Sequence, residues 1–96
     1  MAEITVINNE AVKRFEIHLN DAVAFLEYRF HKGDIALMHT LVPDELAGNG
    51  LATILAKYAL NYAKENKLPV LVYCPFVSGF LKKNPEYNSL VKNNTN

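Results

Sequence analysis

A glycine-bearing turn is the part of the sequence whose residue types best suit the binding of a ligand. Residues 42–52 read VPDELAGNGLA, so an apolar strand end leads through Gly48 and Gly50 straight into a long helical pattern. Glycine permits backbone conformations that a side chain forbids. The first turn of a helix leaves amide N–H groups unpaired at the positive end of its dipole. The spacing therefore predicts an anion site that fits a pyrophosphate.

The same turn differs from two common nucleotide motifs. No Lys-Ser or Lys-Thr pair follows the glycines, as a P-loop requires, and the third glycine of a dinucleotide fingerprint is absent. A glycine near a helix start can also serve only as a tight connection. The strand pattern before the turn and the helix pattern after it favour ligand binding over that simpler interpretation.

A thiol and an imidazole form the second candidate site. Cys74 ends an apolar stretch that is typical of a buried strand, and His39 lies in an earlier strand pattern. An imidazole can hold a thiol as thiolate or take a proton from it. Two simpler interpretations stay open, since free cysteine often acts as a small buried hydrophobe and His39 can be a satisfied core histidine. The other histidines have no metal-ligand spacing, and we expect no metal.

Length and composition limit the kinds of protein that this chain can be. The 96 residues suffice for one modest core, so we expect a single domain over residues 1–91 and a disordered tail at 92–96. Ten basic and ten acidic side chains balance, which disfavours nucleic acid as a partner. One cysteine excludes an internal disulfide. No apolar run reaches the roughly 18 residues of a membrane span, and the N-terminus lacks a signal-peptide pattern, so we expect a cytoplasmic protein without a membrane partner.

The elements that must position these residues follow two patterns of apolar residues. The pattern changes near residue 44, from the two-residue period of strands to the period of a helix. Four segments before it alternate apolar and polar residues, at 4–7, 12–19, 22–30 and 35–42, and Asn20-Asp21 is typical of a two-residue hairpin. This half predicts an antiparallel meander. Strict alternation places His39 on the face that Ile35, Leu37 and Leu41 share.

The second half follows a helical period and then a strand. Apolar residues recur at helical spacing over residues 51–66. The continuous apolar run at 68–74 favours parallel pairing, which makes residues 35–74 a βαβ unit. Pro75 suits the first position of a short helix at 76–83. At the carboxyl end of the fifth strand, where open α/β sheets bind ligands, we expect Cys74 with His39 near the same crevice.

The order of these features resembles the acyl-CoA-binding half of the GNAT superfamily of N-acetyltransferases. A meander precedes the motif V-P-x-x-x-x-G-x-G-L-A, and a helix and a buried strand ending in Y-C-P follow it. The chain is most similar to small, single-domain GNAT-like proteins, over residues 3 to about 91. It departs from the usual turn at Glu45, where Gln or Arg is common. The resemblance implies an α/β (α+β) GNAT-like fold.

The same resemblance implies a cofactor and residues that bind it. Acetyl-CoA is the expected cofactor, with its pyrophosphate on backbone amides rather than on Glu45 and its pantetheine arm between the fourth and fifth strands. The expected cofactor-binding residues are Leu41, Val42, Ala47, Gly48, Asn49, Gly50, Leu51 and Ala52.

Two transfer routes remain possible under this resemblance. In the first, an unidentified amine attacks the thioester directly while His39 takes its proton. In the second, Cys74 accepts the acetyl group and passes it on. Larger relatives commonly use a tyrosine as general acid, and Tyr73 and Tyr87 are the nearest candidates. We expect slow turnover by a monomer or weak dimer, and the alternative is an acyl-CoA-binding or sensing module without catalysis.

Overall fold

The structure, a computed structural model, describes residues 4–92. Residues 93–96 of the tail predicted at 92–96 lie outside the described residues, whereas Lys92 donates its backbone N–H to Val70 O at 2.8 Å. The strands are β1 (Ile7–Asn9), β2 (Arg14–Leu19), β3 (Ala22–His31), β4 (Asp34–Leu41) and β5 (Val70–Val72). The α-helices are α1 (Leu51–Glu65) and α2 (Pro75–Lys83), and short 3-10 helices span Asp44–Leu46 and Pro85–Leu90.

The strands form one mixed sheet in the order β1-β2-β3-β4-β5. Neighbours from β1 to β4 are antiparallel, whereas β4 and β5 are parallel and are joined through α1. The predicted meander followed by a parallel βαβ unit is confirmed. The continuous apolar character of the fifth strand did indicate parallel pairing.

Two tight turns connect the antiparallel strands. Asn20 and Asp21 have φ angles of +53° and +63°, and Lys32 and Gly33 have φ angles of +51° and +86°. Two-residue hairpin turns of type I′ need positive φ at both central residues, because their twist then matches that of the strands. The hairpin predicted at Asn20-Asp21 is therefore confirmed.

Several boundaries differ from the sequence-based expectation. The first strand lies at Ile7–Asn9 rather than 4–7, and the second begins at Arg14 because Lys13 takes a positive φ of 57°. The fifth strand is only Val70–Val72. Pro69 has no N–H to donate to a ladder, and β4 and β5 separate soon after the strand begins.

The core lies between the sheet and the helices. Phe15 of β2 packs edge-on against Tyr58 and Tyr62 of α1, with ring centroids 5.3 Å apart in both pairs. We call this side of the sheet the helix face, and its large strand residues that are fully or almost fully buried are Phe15, Ile17, Leu26, Tyr28, Ile35, Leu37 and Val70. Small residues on α1 (Ala56, Ala59 and Ala63) are also buried, which lets the helix backbone approach the sheet.

The opposite side of the sheet, which we call the outer face, carries a mixture of charged and apolar side chains. Cross-strand neighbours define it, since directly opposed residues share a face. Its members on β2 to β4 are Arg14, Glu16, His18, Val23, Phe25, Glu27, Arg29, His39 and Leu41. The apolar members among them lie outside the core cluster, so the helices of the described chain pack on the other side.

Within residues 4–92, none of the helices is both long enough and apolar enough to cross a membrane.

The Tyr28 side chain links β3 to β1, its non-adjacent neighbour in the sheet, through a part-buried hydroxyl. Its O–H donates to Asn8 Oδ1 at 2.6 Å. Burial, reinforced by the neighbouring Tyr62, raises the pKa of Tyr28 above its ordinary value. The folded state therefore holds this proton at a pH where the unfolded chain has lost it.

This shift predicts an alkaline loss of stability. Tyrosine in an unfolded chain ionises near pH 10, so below that pH the two states bind the same number of protons and above it the folded state is penalised. We expect the urea midpoint to fall between about pH 9 and 11. Tyr28→Phe should flatten that fall, whereas Tyr73→Phe, at a residue 61% exposed, should leave it unchanged. Equal slopes in both variants would contradict the prediction.

Candidate functional site

The glycine turn adopts left-handed backbone conformations that glycine takes at the lowest steric cost. Gly48 has a φ of +86°, and Gly50, the N-cap of α1, has φ +70° and ψ +20° in the left-handed region. A Cβ atom built on either residue meets no heavy atom within 4 Å. The glycines are thus needed for their backbone angles, and the space beside them is open.

The amides after the turn are free to bind an anion. The first helical backbone bond of α1 is from Ile54 N to Gly50 O at 3.1 Å. Among the described residues, no backbone carbonyl accepts from the amides of Leu51, Ala52 or Thr53, and the N-cap supplies no side-chain bond. Three unpaired N–H groups therefore stand at the positive end of a 15-residue helix.

The loop before α1 is held by its own hydrogen bonds. Asn49 Nδ2 donates to Leu46 O at 2.9 Å, and the amide of Ala47 donates to Asp44 O at 3.1 Å. Ala47 was expected to offer its N–H to a phosphate. The structure instead engages that N–H in the 3-10 turn, so the open amides begin beyond Ala47.

β4 and β5 separate beside this turn. The last residues that they pair are Leu37 and Val72, and one more bond follows, from Tyr73 N to Leu37 O at 3.0 Å. Beyond it β4 continues to Leu41 without a bonded partner on that side within residues 4–92. Leu41 is exposed, and Val42 is half-buried against the core. Hydrogen bonding between the two parallel strands therefore ends before the chain enters the turn to α1, and we call this stretch of unpaired strand backbone the strand gap.

Cys74 lies at the start of this gap on the helix face. The residue is only 2% exposed and is the N-cap of α2. Its Sγ atom is 3.2 Å from Thr40 Oγ1, a contact in which either atom can donate. The partner that the structure gives to the thiol is therefore a hydroxyl, and not the imidazole that the sequence suggested.

His39 lies on the outer face, so its predicted placement beside Leu37 is wrong. Tyr28 pairs with Leu37, but the next pair along β3 is Glu27 with His39, because Met38 is an extra residue in a β-bulge. A bulge puts two residues opposite one and so inverts the alternation that follows it. His39 and Leu41 therefore point away from the helices, and Thr40 takes the position facing Cys74.

The imidazole has partners of its own on the outer face. Its Nδ1 atom lies 3.3 Å from Glu27 Oε1, and its ring packs edge-on against Phe25 with centroids 5.8 Å apart. The expectation of a Cys74–His39 pair is not met, since no contact joins the two in the described chain. They flank the same strand gap from opposite faces of the sheet.

Sequence reasoning missed Thr40 and the role of Glu27. Glu27 contacts His39 and also forms an ion pair with Arg29 at 2.9 Å. Both omissions follow from the bulge at Met38, which leaves no clear mark in the alternation of residue types. The cross-strand register was the signal needed to find either residue.

A known protein family matches the part of the chain that builds this site. Residues 14–90 match the sequence model of a family described as GCN5-related N-acetyl-transferase. The matched segment begins at β2 and extends to the last 3-10 helix, so it includes the glycine turn and the strand gap.

Individual relatives cover most of the chain. Protein NATD1 of Bos taurus is 37% identical over 86 residues, which make up 85% of this chain and 75% of that protein. Protein NATD1 of Homo sapiens is 35% identical, with the same shares covered. A GCN5-like protein from Staphylococcus aureus, solved by NMR, superposes with a TM-score of 0.73 at 32% identity and covers 95% of this chain and 90% of that chain.

Proposed function

Because this chain belongs to the GCN5-related N-acetyltransferase family, we propose that it binds acetyl-CoA and transfers the acetyl group to an amine. The observation that carries the proposal is the set of unpaired amides after Gly50, which stands beside the gap between β4 and β5. This arrangement offers an anion site and unpaired strand backbone in one place.

The turn fits the pyrophosphate of coenzyme A. Phosphate oxygens accept hydrogen bonds from N–H groups and are favoured at the positive end of a helix dipole. The open space beside Gly48 and Gly50 leaves room for them. We assign this role to the amides of Gly48, Asn49, Gly50, Leu51 and Ala52.

The strand gap fits the pantetheine arm. An extended chain with amide groups can bond to unpaired strand backbone in the manner of an added strand. Leu41 and Val42 supply that backbone on the β4 side of the gap. The arm would then direct the thioester toward the point where the strands part, between Cys74 and His39.

Direct transfer is the route that we favour. Acetyl-CoA supplies an activated acetyl thioester, and the protein supplies proximity and a base. His39 is more than half exposed, with a side-chain exposure of 57%, so its imidazole can take the proton of an amine. Cys74 is buried and bonded to Thr40, which leaves it less open to an acceptor in bulk water.

A covalent route through Cys74 is the second candidate. The thiolate would form a new S–C bond to the acetyl carbon while the bond to the coenzyme A sulfur breaks, and the proton from Cys74 would leave with the coenzyme A thiol. The closeness of Sγ to the head of the strand gap favours this route. An acyl-CoA-binding or sensing module without an acceptor is the alternative outside catalysis.

Ligand titration and intact-mass spectrometry test these alternatives together. Coenzyme A should raise the melting temperature of the protein, because a ligand that binds only the folded state stabilises it. A lack of stabilisation would contradict acetyl-CoA binding. After incubation with acetyl-CoA, a gain of one acetyl group that disappears in Cys74→Ala would support the covalent route. Turnover with an amine and no adduct on the protein would support direct transfer.

The acidic residues before the turn predict a change in affinity. Asp44 and Glu45 are exposed in the 3-10 helix that leads to the glycines, and a bound pyrophosphate would repel them. We expect Glu45→Gln to tighten coenzyme A binding about two- to fivefold, the scale of an exposed charge interaction. The gain should shrink at high salt.

Calorimetric titration measures this effect against a matched control. Glu65→Gln removes the same charge at the far end of α1, where it is equally exposed, and should leave the affinity unchanged. Equal affinity in Glu45→Gln and the unmodified protein at low salt would contradict a pyrophosphate beside Glu45. A cytoplasmic location, a monomer or weak dimer and a single domain over residues 1–91 remain predictions.

A further inference from the structure

Glu27 holds a position on the outer face between a guanidinium and an imidazole. Its Oε2 atom lies 2.9 Å from Arg29 Nη1, and its Oε1 atom lies 3.3 Å from His39 Nδ1. The carboxylate is only 18% exposed, whereas the side chains of Arg29 and His39 are 54% and 57% exposed. The acid is thus fixed beneath two more accessible groups.

This geometry distinguishes the two nitrogens of His39. A neutral imidazole carries its proton on one ring nitrogen and accepts at the other. The carboxylate beside Nδ1 favours the proton there, because a negative charge attracts an N–H and repels a lone pair. Nε2 then becomes the basic atom.

A second histidine on the same face has the opposite arrangement. His18 Nε2 lies 2.8 Å from Glu16 Oε1, and Glu16 is almost fully buried. The carboxylate there favours a proton on Nε2 of His18. The protein therefore contains its own reference, because His18 and His39 place opposite ring nitrogens against carboxylates on one sheet face.

His39 lies beside the strand gap, with Nε2 as its basic atom. It follows Leu37, the last β4 residue that bonds β5, by two positions, so it lies where the strands begin to part. No helix of the described chain belongs to the outer face. An amine that approaches the strand gap from this open side would reach His39, while Cys74 lies on the buried side.

We propose that Glu27 is a positioning residue that holds His39 as the Nδ1–H tautomer, with Nε2 as the base for an acceptor amine arriving from the outer face. The catalytic half of this inference rests on the proposed acetyl transfer. The inference about the tautomer of His39 applies to the protein without any ligand and does not depend on acetyl transfer.

Long-range proton–nitrogen NMR of the labelled protein, above the pH range where imidazoles are charged, tests the tautomer. We expect the Nδ1–H pattern for His39 and the Nε2–H pattern for His18. Glu27→Leu, which leaves an aliphatic side chain without an acceptor, should shift His39 toward the Nε2–H form and leave His18 unchanged. Glu16→Gln should alter His18 alone. An Nε2–H pattern for His39 in the unmodified protein would overturn the proposal.

Acetyl transfer to benzylamine tests the catalytic half. We expect Glu27→Leu to lower kcat about 10- to 100-fold, the scale of losing an outer partner of an active group, with KM for acetyl-CoA little changed. An unchanged kcat alongside a shifted tautomer would overturn the role of Glu27 in catalysis. Failure of the unmodified protein to bind coenzyme A in the titration would instead count against the proposed function, while the NMR result would stand.

Discussion

Replacement of Gly50 by valine is expected to remove most of the affinity for coenzyme A. Gly50 has a φ of +70°, which a β-branched residue adopts only with strain. Relief of that strain would change the backbone angles at residue 50. The N–H groups of Leu51 and Ala52 would then no longer point toward the proposed pyrophosphate. A hydrogen bond to a charged group is worth about 1.5–3 kcal/mol, so the dissociation constant should rise about 10- to 100-fold.

A second glycine provides the control for this experiment. Gly79 is exposed in the middle of α2, and a Cβ atom built on it also meets nothing within 4 Å, but its φ is not positive. Gly79→Ala should leave coenzyme A affinity unchanged and stabilise α2 by up to about 1 kcal/mol. Calorimetric titration of both variants, with circular dichroism to verify folding, makes the comparison. A folded Gly50→Val variant with normal affinity would rule out the proposed phosphate site.

Truncation of Leu55 is expected to have the largest effect on stability. Leu55 is fully buried on the side of α1 that packs against the sheet. A buried leucine replaced by alanine loses about 2–5 kcal/mol through lost transfer energy and the cavity left behind. Since small domains are stable by only about 5–15 kcal/mol, Leu55→Ala should lower the urea midpoint substantially with little change in the m-value.

An exposed neighbour on the same helix supplies the comparison for Leu55. Lys57→Ala removes a side chain on the solvent side of α1 and should change stability by less than about 0.5 kcal/mol. Acetyl-CoA should still raise the melting temperature of Leu55→Ala if the variant folds, because the turn amides do not depend on that side chain for their direction. A loss below about 1 kcal/mol in Leu55→Ala would show that the helix packs less tightly than the structure indicates.

Sequence patterns predicted the two helices well, because these depend on interactions between residues that are close along the chain. The helix expected at residues 51–66 is Leu51–Glu65, and the helix expected after Cys74 begins at Pro75. These features depend on side-chain period and on the restricted φ of proline, both of which act within a few residues. The ends of β1 and β5 were less accurate, because they depend on the partner strand.

The two candidate sites differ in how far sequence could predict them. The glycine turn was placed correctly, with positive φ at Gly48 and Gly50 as their residue type suggested. The expected Cys74–His39 pair was not found. Thr40 is the observed partner of Cys74, 34 residues away along the chain. Glu27 is the observed partner of His39 and lies opposite it on β3.

The sequence by itself determined the order of elements, the Asn20-Asp21 hairpin turn and the glycine turn before α1, because each follows from backbone preferences of neighbouring residues. Only the tertiary structure decided which face of the sheet His39 occupies. One extra residue at Met38 inverts the side-chain alternation of β4, and its position depends on register with β3 rather than on residue type. The same bulge places Thr40 beside Cys74 and His39 beside Glu27, so it separates the thiol from the imidazole.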